Sequence, residues 1–139
     1  MNLELSATAN INSTIKLYCN NQQIHISTAN NFIVDTTINT QQKNVLDIHW
    51  LCDQQENVNL SVESILINEQ KIDIHKSMYL PFSQPKGYAE YVSHHCGRLV
   101  WPGILRVYFQ ILKQQEYRLK KIQDSTMFRK YNIIYDQCV

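Results

Sequence analysis

Leu46-Asp47-Ile48-His49-Trp50-Leu51-Cys52-Asp53 alternates strictly between two sets of side chains. Leu46, Ile48, Trp50 and Cys52 point one way; Asp47, His49, Leu51 and Asp53 point the other. Successive side chains of an extended chain face opposite sides of a sheet, so this period of two predicts a half-buried β-strand. Leu105, Val107, Phe109 and Ile111 repeat the pattern against Arg106, Tyr108 and Gln110. These two strands decide the fold class.

The flanking segments follow the same rule. Leu3 to Ala7 alternates, and so do Ile15, Leu17 and Cys19. Asn20-Asn21 predicts a hairpin turn, because Asn tolerates left-handed backbone angles. Ile24 and Ile26 are then expected to face inwards, with a break at Asn30-Asn31 before a further β-rich run from Phe32 to Ile38. Val58, Leu60 and Val62 alternate until the phase slips at Glu63-Ser64, as a β-bulge requires. Lys71 to His75 reads as a short strand, and Tyr88 to Val92 as a return to the sheet. Pro81, Pro85 and Gly87 mark a long surface loop. Trp101-Pro102-Gly103 predicts a type II turn with Gly103 at positive φ. Lys113 to Ser125 is open to a short helix, whereas Phe128, Tyr131, Ile133 and Tyr135 suggest a last strand. Many short strands with frequent turns predict one antiparallel β-sandwich, jelly-roll-like, spanning residues 1–139.

Composition narrows the functional classes. Hydrophobic residues form 44% of the 139 positions, which excludes a disordered or fibrous chain. Charged residues form only 18%, so amides and hydroxyls carry solubility, as AT-rich codon usage would also produce. From Arg106 onwards there are seven Lys/Arg against three Asp/Glu, and before it six against nine, a split of +4 against −3. That asymmetry marks a candidate basic partner surface at Arg118, Lys120, Lys121, Arg129 and Lys130, although without a long unbroken basic run a solvated face is the default reading. The near-neutral whole chain argues against nucleic acid. Met1-Asn2-Leu3-Glu4-Leu5 lacks the basic and apolar regions of a signal peptide, and no apolar stretch is long enough to span a bilayer. A cytoplasmic or virion location is therefore expected. Cys19, Cys52, Cys96 and Cys138 are far apart, which favours free thiols over disulfides or a zinc site.

Candidate sites follow from residue type. Tyr79, Tyr88, Tyr91, Trp101 and Tyr108 surround the Pro/Gly-bearing segment, and exposed aromatics there would present flat apolar area to a sugar ring or a protein. Asp47, Asp53, Glu56 and Asn57 gather oxygen donors around one strand end, a set that calcium accepts and an ordinary polar turn also explains. His25, His49 and His75 follow or flank isoleucines in matching settings; if their strands were neighbours, outward imidazoles would converge on a metal. His94 and Cys96 share a face if extended, yet they lack a third ligand or an orienting acid. No acid–base pair, nucleophile constellation or phosphate loop stands out, so an enzyme is not expected.

Two resemblances rest on particular residues. Asp47-Ile48-His49-Trp50 through Val58-Asn59-Leu60-Ser61-Val62-Glu63-Ser64-Ile65-Leu66-Ile67-Asn68 resembles the paired strands of small jelly-roll carbohydrate-binding modules of the calcium-dependent xylan-binding kind. Those modules commonly place Gly after the strand-ending Asn; Glu69 stands here instead. Trp101-Pro102-Gly103-Ile104-Leu105 is similar to a turn and strand of small β-sandwich accessory proteins of tailed-phage particles. Together they cover less than half the chain and carry over no binding residue.

The sequence thus leads to a non-catalytic structural or assembly protein, such as a phage virion subunit packed in a homo- or hetero-oligomer. The alternative is a glycan-binding domain of the lectin or carbohydrate-binding-module kind that uses aromatics and calcium. No other cofactor is implied.

Overall fold

The computed structural model describes residues 1–54, 56–82, 92–95, 97–112 and 132–135. Ten strands are defined among them: β1 (Asn2–Cys19), β2 (Gln22–Thr37), β3 (Lys43–Leu51), β4 (Leu60–Ile67), β5 (Gln70–Lys71), β6 (Ser77–Pro81), β7 (Val92–His95), β8 (Arg98–Leu99), β9 (Gly103–Leu112) and β10 (Asn132–Tyr135). They form one curled antiparallel sheet in the order β5-β4-β1-β3-β9-β6-β7, with β2 on β1, β8 on β4 and β10 on β9. The result is the mainly antiparallel, jelly-roll-like architecture that the alternation predicts. No helix among the described residues is long and apolar enough to cross a membrane.

The long strand β1 explains the curl. Its first half pairs with β4, from Leu3↔Ile67 to Ala9↔Leu60, and its second half pairs with β3, from Thr14↔Leu51 to Cys19↔Leu46. One strand therefore belongs to both halves of the sandwich. It can do so because its inward residues, Leu3, Leu5, Ala7, Ala9, Ile15, Leu17 and Cys19, are all buried. The core cluster they join also includes Ile48, Trp50, Leu60, Ile65, Val107 and Phe109. Trp50 is fully buried, and its indole Nε1 donates to the Ser13 hydroxyl at 2.8 Å, so its polar atom is not orphaned.

The β1–β2 hairpin turns at Asn20 and Asn21, with φ of 52° and 69°, the left-handed pair expected from an Asn-Asn turn. Beyond it, β2 departs from the sequence reading. It does not break at Asn30-Asn31 but runs through as one strand of 16 residues. The pairing shifts there: Thr8 faces Asn31 and Ser13 faces Ala29, so residues 9–12 stand opposite Asn30 alone. This irregularity flips the faces of β2. Phe32 and Val34 point inwards on one side of it, whereas on the other Ile26 points out and is 53% exposed. Alternation by itself could not reveal a phase change imposed by the neighbouring strand.

Other details hold or shift locally. Ser6 faces Ser64 and Ala7 faces Val62, so Glu63 is the extra residue of the expected bulge. The strand predicted over Lys71–His75 is instead the end of β5 followed by a 3₁₀ turn at Ile74–Lys76, capped by the Asp73 carboxylate on the His75 N–H at 3.1 Å. Gly103 is not at positive φ. It is required for close approach, since a Cβ there would lie 2.6 Å from the Leu80 carbonyl oxygen and 2.7 Å from the Tyr79 ring. The last predicted strand is present as β10, while the helix reading of Lys113–Ser125 lies outside the described residues.

Candidate functional site

The loop from β3 to β4 is built by amides. Asn57 adopts φ of 58°, which turns the chain back towards β4. Asn10, from the irregular part of β1, clamps it: its Nδ2 donates to the Asn57 carbonyl at 2.8 Å, and its Oδ1 accepts from the Asn59 N–H at 2.8 Å. The Asn10 N–H donates in turn to the Asn59 carbonyl at 3.1 Å. At the loop's start, the Cys52 thiol donates to the Gln54 carbonyl at 3.0 Å, and the Gln54 amide donates to the Glu56 carbonyl at 2.6 Å. Burial, and then the adjacent Asp53 carboxylate, push the Cys52 thiol above its ordinary pKa.

The facing wall comes from β8 and the residues after it. Leu99 is buried against Leu60, so its neighbours Arg98 and Val100 turn outwards. Gly97, at φ of 88°, sets this geometry: its carbonyl accepts from the Val62 N–H at 2.8 Å, and a Cβ would meet the Ile74 side chain at 2.7 Å. Trp101 follows, half-buried, and the Tyr79 hydroxyl donates to its carbonyl oxygen.

The two walls enclose an open cleft of about 690 Å³, lined by Glu56, Asn57, Val58, Asn59, Arg98, Val100 and Trp101. It lies within the roughly 300–1,000 Å³ typical of small-molecule sites. An indole, an exposed valine, two amides, a carboxylate and a guanidinium offer both apolar area and hydrogen bonds of either sense. Such a set can stack against an apolar face and hydrogen-bond to hydroxyl groups.

The cleft unites residues from separate predicted groups: Trp101 from the aromatics, Glu56 and Asn57 from the oxygen donors. Others are placed elsewhere. Tyr79 is fully buried, so it is not an exposed platform; it is a core strut whose hydroxyl holds the Trp101 backbone. Tyr108 is half-buried on β9, outside the cleft. Tyr88 and Tyr91 lie outside the described residues, as do Cys96 and the basic positions Arg118, Lys120, Lys121, Arg129 and Lys130.

The predicted calcium set does not assemble. Asp47 is buried in mid-strand and bound by Arg106, Nε to Oδ1 at 2.8 Å and Nη2 to Oδ2 at 3.0 Å. Asp53 is about six strand positions further on, up to roughly 20 Å away. Among the described residues no three His, Cys, Asp or Glu side chains converge on a point that could hold a metal. Asp53, Glu56 and Asn57 all lie exposed in the β3–β4 loop. The three histidines do not converge either. His25 faces inwards opposite Leu17, His49 faces outwards opposite Lys16, and His75 sits in the 3₁₀ turn.

Asn59 and Arg98 were missed because single amides and charges beside short strands carry no periodic signal. Arg98 becomes a wall residue only through the pairing of β8 with β4, a contact between distant parts of the chain.

No protein-family model matches the chain, and no curated protein matches it. Its fold is similar to that of the carbohydrate-binding module vCBM60 in complex with galactobiose, at a TM-score of 0.59 and 13% identity, over 76% of this chain and 96% of that one. It is also similar to the selenomethionine form of vCBM60, at a TM-score of 0.55 and 15% identity, over 76% and 87% of the two chains. That second structure is described in the context of two calcium-dependent families of carbohydrate-binding modules linked by circular permutation. At these identities the likeness establishes a shared fold.

Proposed function

We propose that this chain is a glycan-binding domain whose ligand lies in the cleft between the β3–β4 loop and the β8–Trp101 segment. The observation that carries the reading is the grouping of Trp101 with Glu56, Asn57, Asn59 and Arg98 around one cleft. The likeness to carbohydrate-binding modules supports it, and it is the alternative, not the assembly reading, that this likeness favours.

Sugar rings present an apolar C–H face and a rim of hydroxyls. The Trp101 indole supplies the surface for the first, with Val100 beside it. Glu56 accepts from hydroxyls, Arg98 donates to them, and the amides of Asn57 and Asn59 do both. Each is held by a fixed backbone: Asn10 sets the loop, Gly97 sets β8, and Tyr79 sets Trp101. Preorganisation of this kind lowers the entropy cost of binding.

A glycan array probed with the labelled chain tests the reading. Selective retention that disappears in both Trp101→Ala and Arg98→Ala supports it. Retention unaffected by either substitution places the ligand elsewhere and rejects this cleft.

A further inference from the structure

The long edge of β2 carries a second inference, independent of the cleft. β2 pairs with β1 along one side, and no described strand pairs with its other side. Edge strands are normally protected by Lys, Pro or short length, because their free N–H and C=O groups template pairing with another chain. β2 has none of these protections: it is 16 residues long, contains no Lys, Arg or Pro, and its only carboxylate is Asp35. It also bears two of the chain's exposed large apolar side chains, Ile26 at 53% and Ile33 at 82%.

The phase flip at Asn30 limits how this edge can pair with itself. Before it, outward residues are even-numbered, since Ile26 faces Lys16 and Thr28 faces Thr14. After it they are odd-numbered, since Asn31 faces Thr8 and Ile33 faces Ser6. In an antiparallel pair related by a two-fold axis, directly opposed side chains must lie on one face. An axis between Ala29 and Asn30 satisfies this for the pairs His25–Val34, Ile26–Ile33, Ser27–Phe32 and Thr28–Asn31. It opposes Ile26 to Ile33, Thr28 to Asn31, and the inward Ser27 to Phe32 of the second copy. Both exposed isoleucines are then covered at once, the phase flip of each strand falls on the axis, and no like charges meet. Displacing the register by one residue sets outward side chains against inward ones. Centring the axis within either half of β2 instead leaves one of the isoleucines uncovered.

We infer that β2 is a dimerisation edge, joining a second copy of this chain by antiparallel strand addition with Ile26 opposite Ile33. Main-chain hydrogen bonds would supply affinity, and the isoleucine pairs would fix the register.

Sedimentation velocity of the full chain over a concentration series tests this, alongside Ile33→Lys. The expected result is a concentration-dependent dimer that Ile33→Lys converts to monomer while its circular dichroism stays unchanged. A register test completes it: Thr28→Cys and Asn31→Cys chains, each prepared alone, are mixed and oxidised. A disulfide linking positions 28 and 31 should form in the mixture and be identified by peptide mass spectrometry. A monomer at all concentrations overturns the inference. So does a dimer that survives Ile33→Lys and yields no 28–31 link.

Discussion

Arg106 grips Asp47 with two hydrogen bonds, at 2.8 Å and 3.0 Å, across the paired strands β3 and β9. The pair locks the two most clearly alternating strands together and takes a carboxylate away from any metal. The carboxylate is almost completely buried, whereas the guanidinium is partly exposed. Arg106→Leu would strand the Asp47 charge and should cost about 2 kcal/mol, below the usual penalty for breaking a buried pair because solvent reaches one side. Urea unfolding checks this, and the Arg106→Leu/Asp47→Leu double variant should recover much of the loss.

A second prediction concerns Trp50. Ser13→Ala removes the acceptor of the buried indole N–H, leaving that donor without its partner. The expected loss is roughly 1–3 kcal/mol, the penalty for an unsatisfied buried polar group. Chemical denaturation measures it, and a change near zero would show that another acceptor takes over.

The pH dependence follows from His49. Burial lowers its pKa foremost; Lys16 and Arg106 lower it further, while Asp47 opposes them. The unfolded chain therefore takes up the proton more readily than the folded one. The His49 contribution to stability is complete above about pH 6.5 and declines as pH falls below that towards the lower folded value. His49→Gln should lose stability less steeply from neutral to mildly acidic pH. Parallel slopes for the two proteins would contradict this.

Much of the fold was legible because burial on one face writes a period of two into β1, β3, β4 and β9. The Glu63 bulge was visible for the same reason, as a slip in that period. What escaped was set by distant partners. The face flip in β2 depends on the extra residues of β1, and Gly103 is needed because Leu80 and Tyr79 crowd it. At the cleft, Trp101, Glu56 and Asn57 drew attention by residue type. The burial of Tyr79 is not legible, because tyrosines on a core strand and on a surface look alike in sequence. The engagement of Asp47 is not legible either, because nothing in the sequence pairs it with Arg106, 59 positions away.

Metal removal gives a further prediction. With Asp47 held by Arg106, the proposed cleft offers Trp101, Arg98 and the Asn57 and Asn59 amides to a sugar, so glycan binding should persist in excess EDTA. Binding compared calorimetrically with and without added calcium checks this. Loss of binding in EDTA, restored by calcium, would show that the loop does hold the ion.

Trp101 is the residue on which glycan binding by the cleft depends most directly. The chain has two tryptophans; Trp50 is fully buried in the core and Trp101 lines the cleft. Titrating intrinsic fluorescence with a glycan that the array retains, in parallel with Trp101→Phe, reads the cleft without a label. The predicted result is a saturable change that is absent in Trp101→Phe. No change at millimolar glycan, or an unaltered change in Trp101→Phe, would contradict the glycan-binding cleft.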